Sequence, residues 1–227
     1  MNASLERTGG YFEAQLRDSR APWAKSPAPF ITISRESCAG GSGLAEILLQ
    51  KLAGDGWTGF GGNVINQMLA ANHLPAQMAR FLPEDSVPEV NATIGEMVGL
   101  HPSLWELMQK ANQTIRQLAK GGHVILVGRG ANFATAGLAG GIHVRLIAPV
   151  DQRARYFAQR FNVSEAAALA HNAKCDAARR RYVKVHFNAE VADPAAYDLV
   201  INTGHVPLTE AADMVITHLR ALEPAAA

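Results

Sequence analysis

FITISRESCAGGSGLA, from Phe30 to Ala45, runs from an apolar segment through a glycine-rich turn into a helical pattern. Phe30–Ser34 is rich in β-branched residues, which predicts a buried strand. After the turn, Leu44–Leu52 carries apolar residues at helical spacing. A strand that enters a helix through glycines is typical of a phosphate-binding loop, because backbone N–H groups at the helix N-terminus face phosphate oxygens.

The side chains of this loop depart from the usual motif GxxxxGK[ST], in which the lysine reaches the outer phosphates and the hydroxyl holds magnesium. With Gly40 as the second glycine, Gly41 takes the lysine position and Ser42 the hydroxyl position, and Gly43 follows. The residues alone therefore leave two interpretations open. The segment is either a phosphate loop without its lysine or an ordinary strand–turn–helix.

Composition limits the classes of function. The 227 residues are 48% hydrophobic and 18% charged, which suits one α/β domain with a packed core. A formal net charge of +1 argues against a general nucleic-acid binder. Cys38 and Cys175 lie far apart without a CxxC pattern, which argues against a zinc site or a disulfide framework. No signal peptide or long apolar run is visible, so we expect a cytoplasmic protein without a membrane span.

The remaining pattern alternates strands with helices, which predicts an α/β fold with a parallel sheet covered by helices on both faces. Further strands are predicted at Val124–Val127, Ile142–Ala148 and Asp198–Asn202. Helices are predicted at Asn63–Asn72, at Ser103–Lys120 with a Ser103/Glu106 capping box, from about Asp151, at Ser164–Lys184 and at Leu208–Leu222. The domain is expected over residues 29–222, after a helix and linker at 1–28, with a possible flap at 73–100.

Five segments in order resemble the cytidylate kinase-like family of P-loop kinases. They read ITISRES-x-x-GG, VILVGRGANF, IHVRLIAPVDQRARYFAQRFNVSEAAA, AKCDAARRRYVKVHF and DPAAYDLVINT, and they extend over roughly residues 30 to 220. The resemblance implies a three-layer P-loop NTPase-like fold with a helical lid at 164–187. It also implies transfer of the γ-phosphoryl group of ATP to CMP or dCMP with Mg²⁺. This branch of the family commonly lacks the loop lysine, so Gly41 is a family trait.

The resemblance also implies an ATP- and phosphate-binding set. Around the first strand it comprises Ser37, Gly40, Gly41, Ser42 and Gly43. Asn202 and Thr203 end the last strand, where adenine is often held in such folds, and are candidates for that contact. Arg35 is a candidate for offsetting the charge of the transferred phosphoryl group in the absence of the lysine. A salt bridge to Glu36, or a bracing role, is the alternative for Arg35.

The acceptor side is expected to involve basic residues at the end of one strand and on the lid. Arg129 follows a buried strand at the edge where ligands bind in open α/β sheets, and the matching arginine of cytidylate kinases contacts CMP. Asp176 and Arg179 are one helical turn apart and resemble the D-x-x-R lid motif, with Arg180 beside them. Catalytic roles are predicted for Arg35, Arg129 and Arg179.

Four further residues carry weaker expectations. Arg153 and Arg155 are expected on a solvated helix face, with phosphate contacts as the alternative. Tyr182 and His186 either stack on a base or pack the lid, and the sequence favours neither.

Three departures from the family pattern bear on activity. Cys38 and Ala39 replace a Gly-Ser or Gly-Ala pair of the loop. The segment WTGFGGNVI lacks an aspartate that relatives carry near Gly61 or Gly62. Neither Asp151 nor Asp198 is an obvious magnesium partner, and no metal-ligating residue is assigned.

Two functions from different classes therefore remain open, beside a less favoured one. The first is a nucleoside monophosphate kinase-like enzyme that binds nucleotide substrates. The second is a catalytically inactive nucleotide-binding regulatory protein of the same fold. RNA binding through Arg179–Lys184 is disfavoured by the near-neutral net charge. The sequence gives no indication of oligomeric state.

Overall fold

One parallel sheet forms the centre of the molecule. The computed structural model describes residues 28–61 and 104–222. The strands of these ranges are β1 (Phe30–Arg35), β2 (Thr58–Phe60), β3 (Val124–Val127), β4 (Gly141–Ile147) and β5 (Leu199–Asn202). Their order is β2-β3-β1-β4-β5, and every neighbouring pair is parallel. The loop after β1 therefore lies at the middle of the carboxyl edge, between the ends of β3 and β4.

Helices provide the crossover connections that parallel strands require. Those within the described ranges are α1 (Gly41–Lys51), α2 (Leu104–Gly121), α3 (Ala131–Ala134), α4 (Val150–Phe161), α5 (Glu165–Phe187) and α6 (Leu208–Leu222). Single 3-10 turns lie at Ala53–Asp55 and Pro194–Ala196. None of these helices has the combination of length and apolar character that crossing a membrane would require.

Both faces of the sheet are covered. On one face, Leu48 of α1 and Val215 of α6 are fully buried in a cluster with Ile33 of β1. On the other face, Leu118 of α2 packs in a second cluster with Phe30. The predicted parallel sheet with helices on both faces is thus confirmed.

The face opposite α1 and α6 also carries polar side chains of β1 and β4. Thr32 Oγ1 lies 2.8 Å from His143 Nδ1. Arg145 donates from Nη1 to Ser34 Oγ at 3.4 Å, and its guanidinium lies over the Tyr197 ring at 5.7 Å. Neighbouring strands thereby satisfy buried polar groups that water does not reach.

Predicted boundaries agree with the structure to within a few residues. β3 and α6 coincide with their predicted segments, and α2 and β4 differ by about one residue at either end. α1 begins at Gly41, three residues before the predicted start. Glycines in a first helical turn weaken the sequence signal, because glycine is a poor helix former.

The short edge strand β2 was not predicted. Its segment contains Gly59, which reads as a break in a strand pattern. In the structure, a Cβ atom on Gly59 would lie 2.7 Å from Leu49 Cδ1. The glycine therefore permits the close approach of α1 to the sheet edge, and pairing with β3 defines the strand.

Several predictions concern parts of the chain outside the described residues. These are the N-terminal helix and linker up to residue 27, the helix at 63–72 and the flap at 73–100. The capping box at the start of α2 also involves Ser103 and the Glu106 side chain, which lie outside the description.

We expect His143 to make stability depend on pH. Burial lowers the pKa of His143 against the opposing effect of Asp198. The unfolded chain therefore takes up a proton near pH 6.5 while the folded chain still resists it, so folded-state stability falls as pH decreases through that value. In urea unfolding, the free energy of unfolding should fall less between pH 7.5 and pH 5.5 in His143→Gln than in the wild type. His205→Gln, at an exposed position, is the control, and equal losses in all three proteins would contradict the prediction.

Candidate phosphate and acceptor site

The loop between β1 and α1 turns sharply at two left-handed residues. Gly40 has φ +88° and Cys38 has φ +61°. A Cβ atom on Gly40 would lie 2.8 Å from Leu208 Cδ2, so the first residue of α6 packs directly on the loop. The backbone N–H groups at the start of α1 are thereby presented at the sheet edge, as a phosphate cradle requires.

Cys38 stands at the loop position where the family resemblance leads us to expect glycine. Its positive φ explains that preference, because side chains other than those of glycine are strained there. Burial raises the pKa of the Cys38 thiol and outweighs the opposing hydrogen bond with Ser37 and the charges of Arg179 and Arg153. The substitution therefore adds a protonated thiol to the loop while the turn is kept.

Arg35 packs over the position of the missing lysine. A Cβ atom on Gly41 would lie 3.0 Å from Arg35 Cγ and 3.1 Å from its Cδ. A side chain at position 41 would therefore displace the stem of Arg35. Glycine at the lysine position and arginine at position 35 are coupled by packing.

Side chains from three other elements hold the loop backbone. Ser37 N donates to Asp176 Oδ1 at 2.7 Å, and Arg153 Nη1 donates to Ser37 O at 3.1 Å. Thr203 Oγ1 lies 3.1 Å from Ala39 O. The loop conformation thus depends on α4, α5 and the end of β5 as well as on its own glycines.

Arg153 is the residue that sequence reasoning missed. The expectation that it lies on a solvated face is wrong, because its exposed fraction is 5%. Its Nη1 lies 2.7 Å from Asp176 Oδ2, and its Nε donates to Ala148 O at 2.9 Å. The sequence did carry one signal. Arg153 lies four residues before Phe157 and so shares its helix face, and Phe157 stacks on His171 of α5.

Arg155, by contrast, lies on the solvated face as expected. Its side chain is 54% exposed and pairs with Asp151 within the same helix. Two arginines separated by one residue thus point in opposite directions from α4, which the helical period requires.

The D-x-x-R pair on α5 lies on one face, as predicted. Arg179 Nη1 lies 3.3 Å from Asp176 Oδ1, and Arg179 is 9% exposed. Arg180 is exposed. Both oxygens of Asp176 accept hydrogen bonds from the protein, so in this structure the carboxylate joins α5 to the phosphate loop.

Arg129 lies at the same sheet edge as the loop. It follows β3, and the N–H of its neighbour Gly128 donates to Ile33 O of β1 at 3.2 Å. Its guanidinium carbon lies 4.8 Å from the centre of the Tyr182 ring on α5. The end of β3, the loop after β1 and α5 therefore meet around one edge of the sheet.

The end of β5 contributes mainly backbone support. Thr203 contacts Ala39 O and also lies 3.2 Å from Ile147 O. Asn202 Oδ1 accepts a hydrogen bond from Gly204 N at 3.0 Å and shapes the following turn. Their predicted contact with adenine stays a prediction.

The carboxylates considered for magnesium lie in different places. Asp151 is exposed and pairs with Arg155. Asp198 accepts a hydrogen bond from His143 N at 2.6 Å, near the start of β4 and hence at the edge opposite the loop. Residues 28–61 and 104–222 hold no group of three or more His, Cys, Asp or Glu side chains suited to a metal ion.

Sequence comparison identifies the family. A profile described as the cytidylate kinase-like family matches residues 30–205, well over half of the chain. The chain belongs to the cytidylate kinase-like family. The cytidylate kinase of Methanocaldococcus jannaschii is 26% identical over 151 residues, which cover 65% of this chain and 85% of that protein.

A second curated relative matches over a shorter length. A uronate isomerase of Corynebacterium glutamicum is 27% identical over 108 residues, which cover 48% of this chain. The chain spans only 20% of that relative.

One solved structure has a similar fold, and a kinase shows a weaker likeness. An uncharacterised protein from Eubacterium ventriosum superposes with a TM-score of 0.65 at 18% identity, covering 85% of this chain and 99% of that one. The APS kinase of Mycobacterium tuberculosis, solved with AMPPNP and APS, gives a TM-score of 0.47 at 16% identity, covering 86% and 99%. The expected P-loop kinase-like α/β fold is confirmed by the strand order and the family match.

Replacing Arg153 should destabilise the protein far more than replacing Arg155. Arg153→Met leaves the half-buried Asp176 carboxylate without its short ion pair, which should cost about 3 kcal/mol of the free energy of unfolding. Arg155→Met removes an exposed pair and should cost less than about 0.5 kcal/mol. Urea unfolding measures both, and equal losses would contradict the assignment of Arg153 as the link between α4, α5 and the loop.

Gly40→Ala should also be costly, in comparison with Gly54→Ala. The first combines a left-handed backbone with a contact to Leu208, and should cost at least about 1–2 kcal/mol of the free energy of unfolding. A Cβ atom on Gly54 would meet nothing within 4 Å, so its substitution should change stability by less than about 0.5 kcal/mol. Thermal or urea unfolding of both variants tests this. An unchanged free energy of unfolding in Gly40→Ala would show that the loop is not held in this turn.

Proposed function

We propose that this chain is a nucleoside monophosphate kinase-like phosphotransferase that moves the γ-phosphoryl group of ATP to CMP, dCMP or a related acceptor. Family membership supports the reaction type, and the M. jannaschii relative is named a cytidylate kinase. The acceptor base and the cytoplasmic location are part of the proposal.

The observation that carries the proposal is the shared position of the phosphate loop and Arg129. Gly128 is hydrogen-bonded to the end of β1, so Arg129 projects from the strand next to the one that leads into the loop. A nucleotide on Gly40–Gly43 and an acceptor phosphate at Arg129 would then lie at one sheet edge. Proximity of donor and acceptor is the main requirement of phosphoryl transfer, which needs no covalent intermediate.

Arg35 is the candidate to replace the missing lysine. Its stem occupies the open side of Gly41 at the start of α1, where the lysine of the usual motif begins. In this role, Arg35 and Arg179 offset the charge that spreads over the transferred group. Glycine is then required at position 41, because a side chain there would displace Arg35.

Helix α5 is proposed as the lid. Asp176 already joins it to Ser37 N of the loop at 2.7 Å, and Arg179 pairs with the same carboxylate. A phosphate ligand can therefore attract Arg179, and the exposed Arg180, from the lid side. Closure of residues 164–187 would exclude water, which competes with the acceptor for the phosphoryl group.

The residues present fit a magnesium ion that arrives with ATP. Ser42 takes the hydroxyl position of the motif and is exposed in the first turn of α1. Near the loop, the carboxylates of Glu36 and Asp176 accept hydrogen bonds from Ala148 N and Ser37 N. Ser42 and the phosphates would hold Mg²⁺, which would neutralise phosphate charge.

A non-catalytic nucleotide-binding protein is the second candidate. The side chain of Cys38 at a left-handed position of the loop, and the absence of an aspartate near Gly61 or Gly62, favour it. It predicts nucleotide binding without phosphoryl transfer.

ADP release from Mg-ATP, with CMP, dCMP, UMP, AMP and GMP offered separately, tests the proposal. We expect base-dependent turnover, and we expect Arg129→Ala to lower kcat/KM for the acceptor about 10- to 100-fold, as loss of a charged hydrogen bond implies. Arg220→Ala, at an exposed position of α6, is the matched control. Absence of turnover with every acceptor, together with retained ATP binding, would favour the regulatory alternative.

A further inference from the structure

Aromatic residues near the C-terminus of α5 pack against the turn that carries Arg129. Gly130 has φ +73°, and a Cβ atom on it would lie 2.5 Å from Phe187 Cε2. In the same turn, the guanidinium of Arg129 lies over the face of Tyr182, with His186 beside that ring. Backbone and side chain at this position are thus both packed against α5.

The contact between Arg129 and Tyr182 joins a cation to an aromatic face. The guanidinium carbon is 4.8 Å from the ring centre, within the range for cation–π attraction. Burial raises the pKa of Tyr182 to about 12, with Arg129 acting in the opposite direction. The phenol therefore stays neutral at physiological pH, and the ring face, not a phenolate, is what Arg129 meets.

Neighbouring rings fix the orientation of Tyr182. His186 lies 4.6 Å away and Phe187 6.2 Å away, measured between ring centres. Phe187 in turn stacks on Phe133 of α3 at 5.7 Å. Burial lowers the pKa of His186, and the charge of Arg129 lowers it further, so the imidazole stays neutral and does not repel the guanidinium.

We propose that Tyr182 is a positioning residue that holds the Arg129 guanidinium ready for the phosphate of the acceptor nucleotide. The inference rests on the proposed function, in which Arg129 binds that phosphate. An arginine side chain loses considerable conformational freedom when it is fixed. A ring face that restricts it before the ligand arrives lowers the entropy lost on binding and aligns the donor groups.

This role makes predictions that simple packing does not. Tyr182→Phe keeps the ring face and should bind CMP within about twofold of the wild type, because it retains the cation–π contact. Tyr182→Leu removes the face and should weaken CMP binding roughly 3- to 20-fold, the range of a partly buried cation–π contact. ATP affinity should be unchanged in both variants, because the phosphate loop follows the neighbouring strand, β1.

The deciding experiment is a double-mutant cycle between Tyr182→Leu and Arg129→Ala, read by equilibrium binding of CMP and by acceptor KM and kcat. In the Arg129→Ala background, Tyr182→Leu should have no further effect. Val185→Ala, at a position 69% exposed on the same helix, is the matched control. Urea unfolding of each variant confirms that it is folded.

The possible outcomes distinguish failure of this inference from failure of the proposed function. If Arg129→Ala weakens CMP binding and Tyr182→Leu does not, the positioning role is wrong and the proposed function stands. Equal effects of Tyr182→Leu with and without Arg129 would show a purely structural role and would also overturn the inference. If Arg129→Ala has no effect, or if CMP, dCMP, UMP, AMP and GMP all fail to bind, the assignment of Arg129 itself fails.

Discussion

The ion pair between Arg153 and Asp176 is the constraint on which the rest of the site depends. It joins α4 to α5 at 2.7 Å, and each partner also bonds a backbone group of Ser37. One partly buried contact therefore restrains both the position of α5 and the shape of the phosphate loop. A paired and hydrogen-bonded charge can persist in a protein interior, whereas a lone one is too costly.

A second consequence of this arrangement concerns the balance of charge around the loop. Arg153 and Arg179 share the carboxylate of Asp176, and Glu36 lies 3.5 Å from Arg153 Nε. A phosphate group would bring further negative charge to this edge and compete with Asp176 for Arg179. If α5 acts as the proposed lid, nucleotide binding would redistribute these existing ion pairs, because hydrogen bonds to charged groups are strong and directional.

Two arginines pack close to the loop that lacks its lysine. Arg35 lies against Gly41, and Arg129 is held against α5 through Tyr182 and Phe187. Arg35 ends β1, and Arg129 follows β3 by two residues, so both lie at the carboxyl edge of the sheet. In the proposed function, guanidinium groups on neighbouring strands would supply the positive charge that the flexible ammonium of the usual motif provides elsewhere.

The sequence by itself determined the parallel sheet, the bounds of β3 and α6, and the shared face of Asp176 and Arg179, because these depend on local periodicity. It did not reveal β2, whose strand character comes from pairing with β3 across Gly59. Nor did it reveal that Arg153 is buried while Arg155 is exposed. Spacing along one helix fixes which residues share a face. Which face meets α5, and which backbone carbonyl of a loop more than a hundred residues earlier completes the contact, is decided only by the long-range packing of the folded chain.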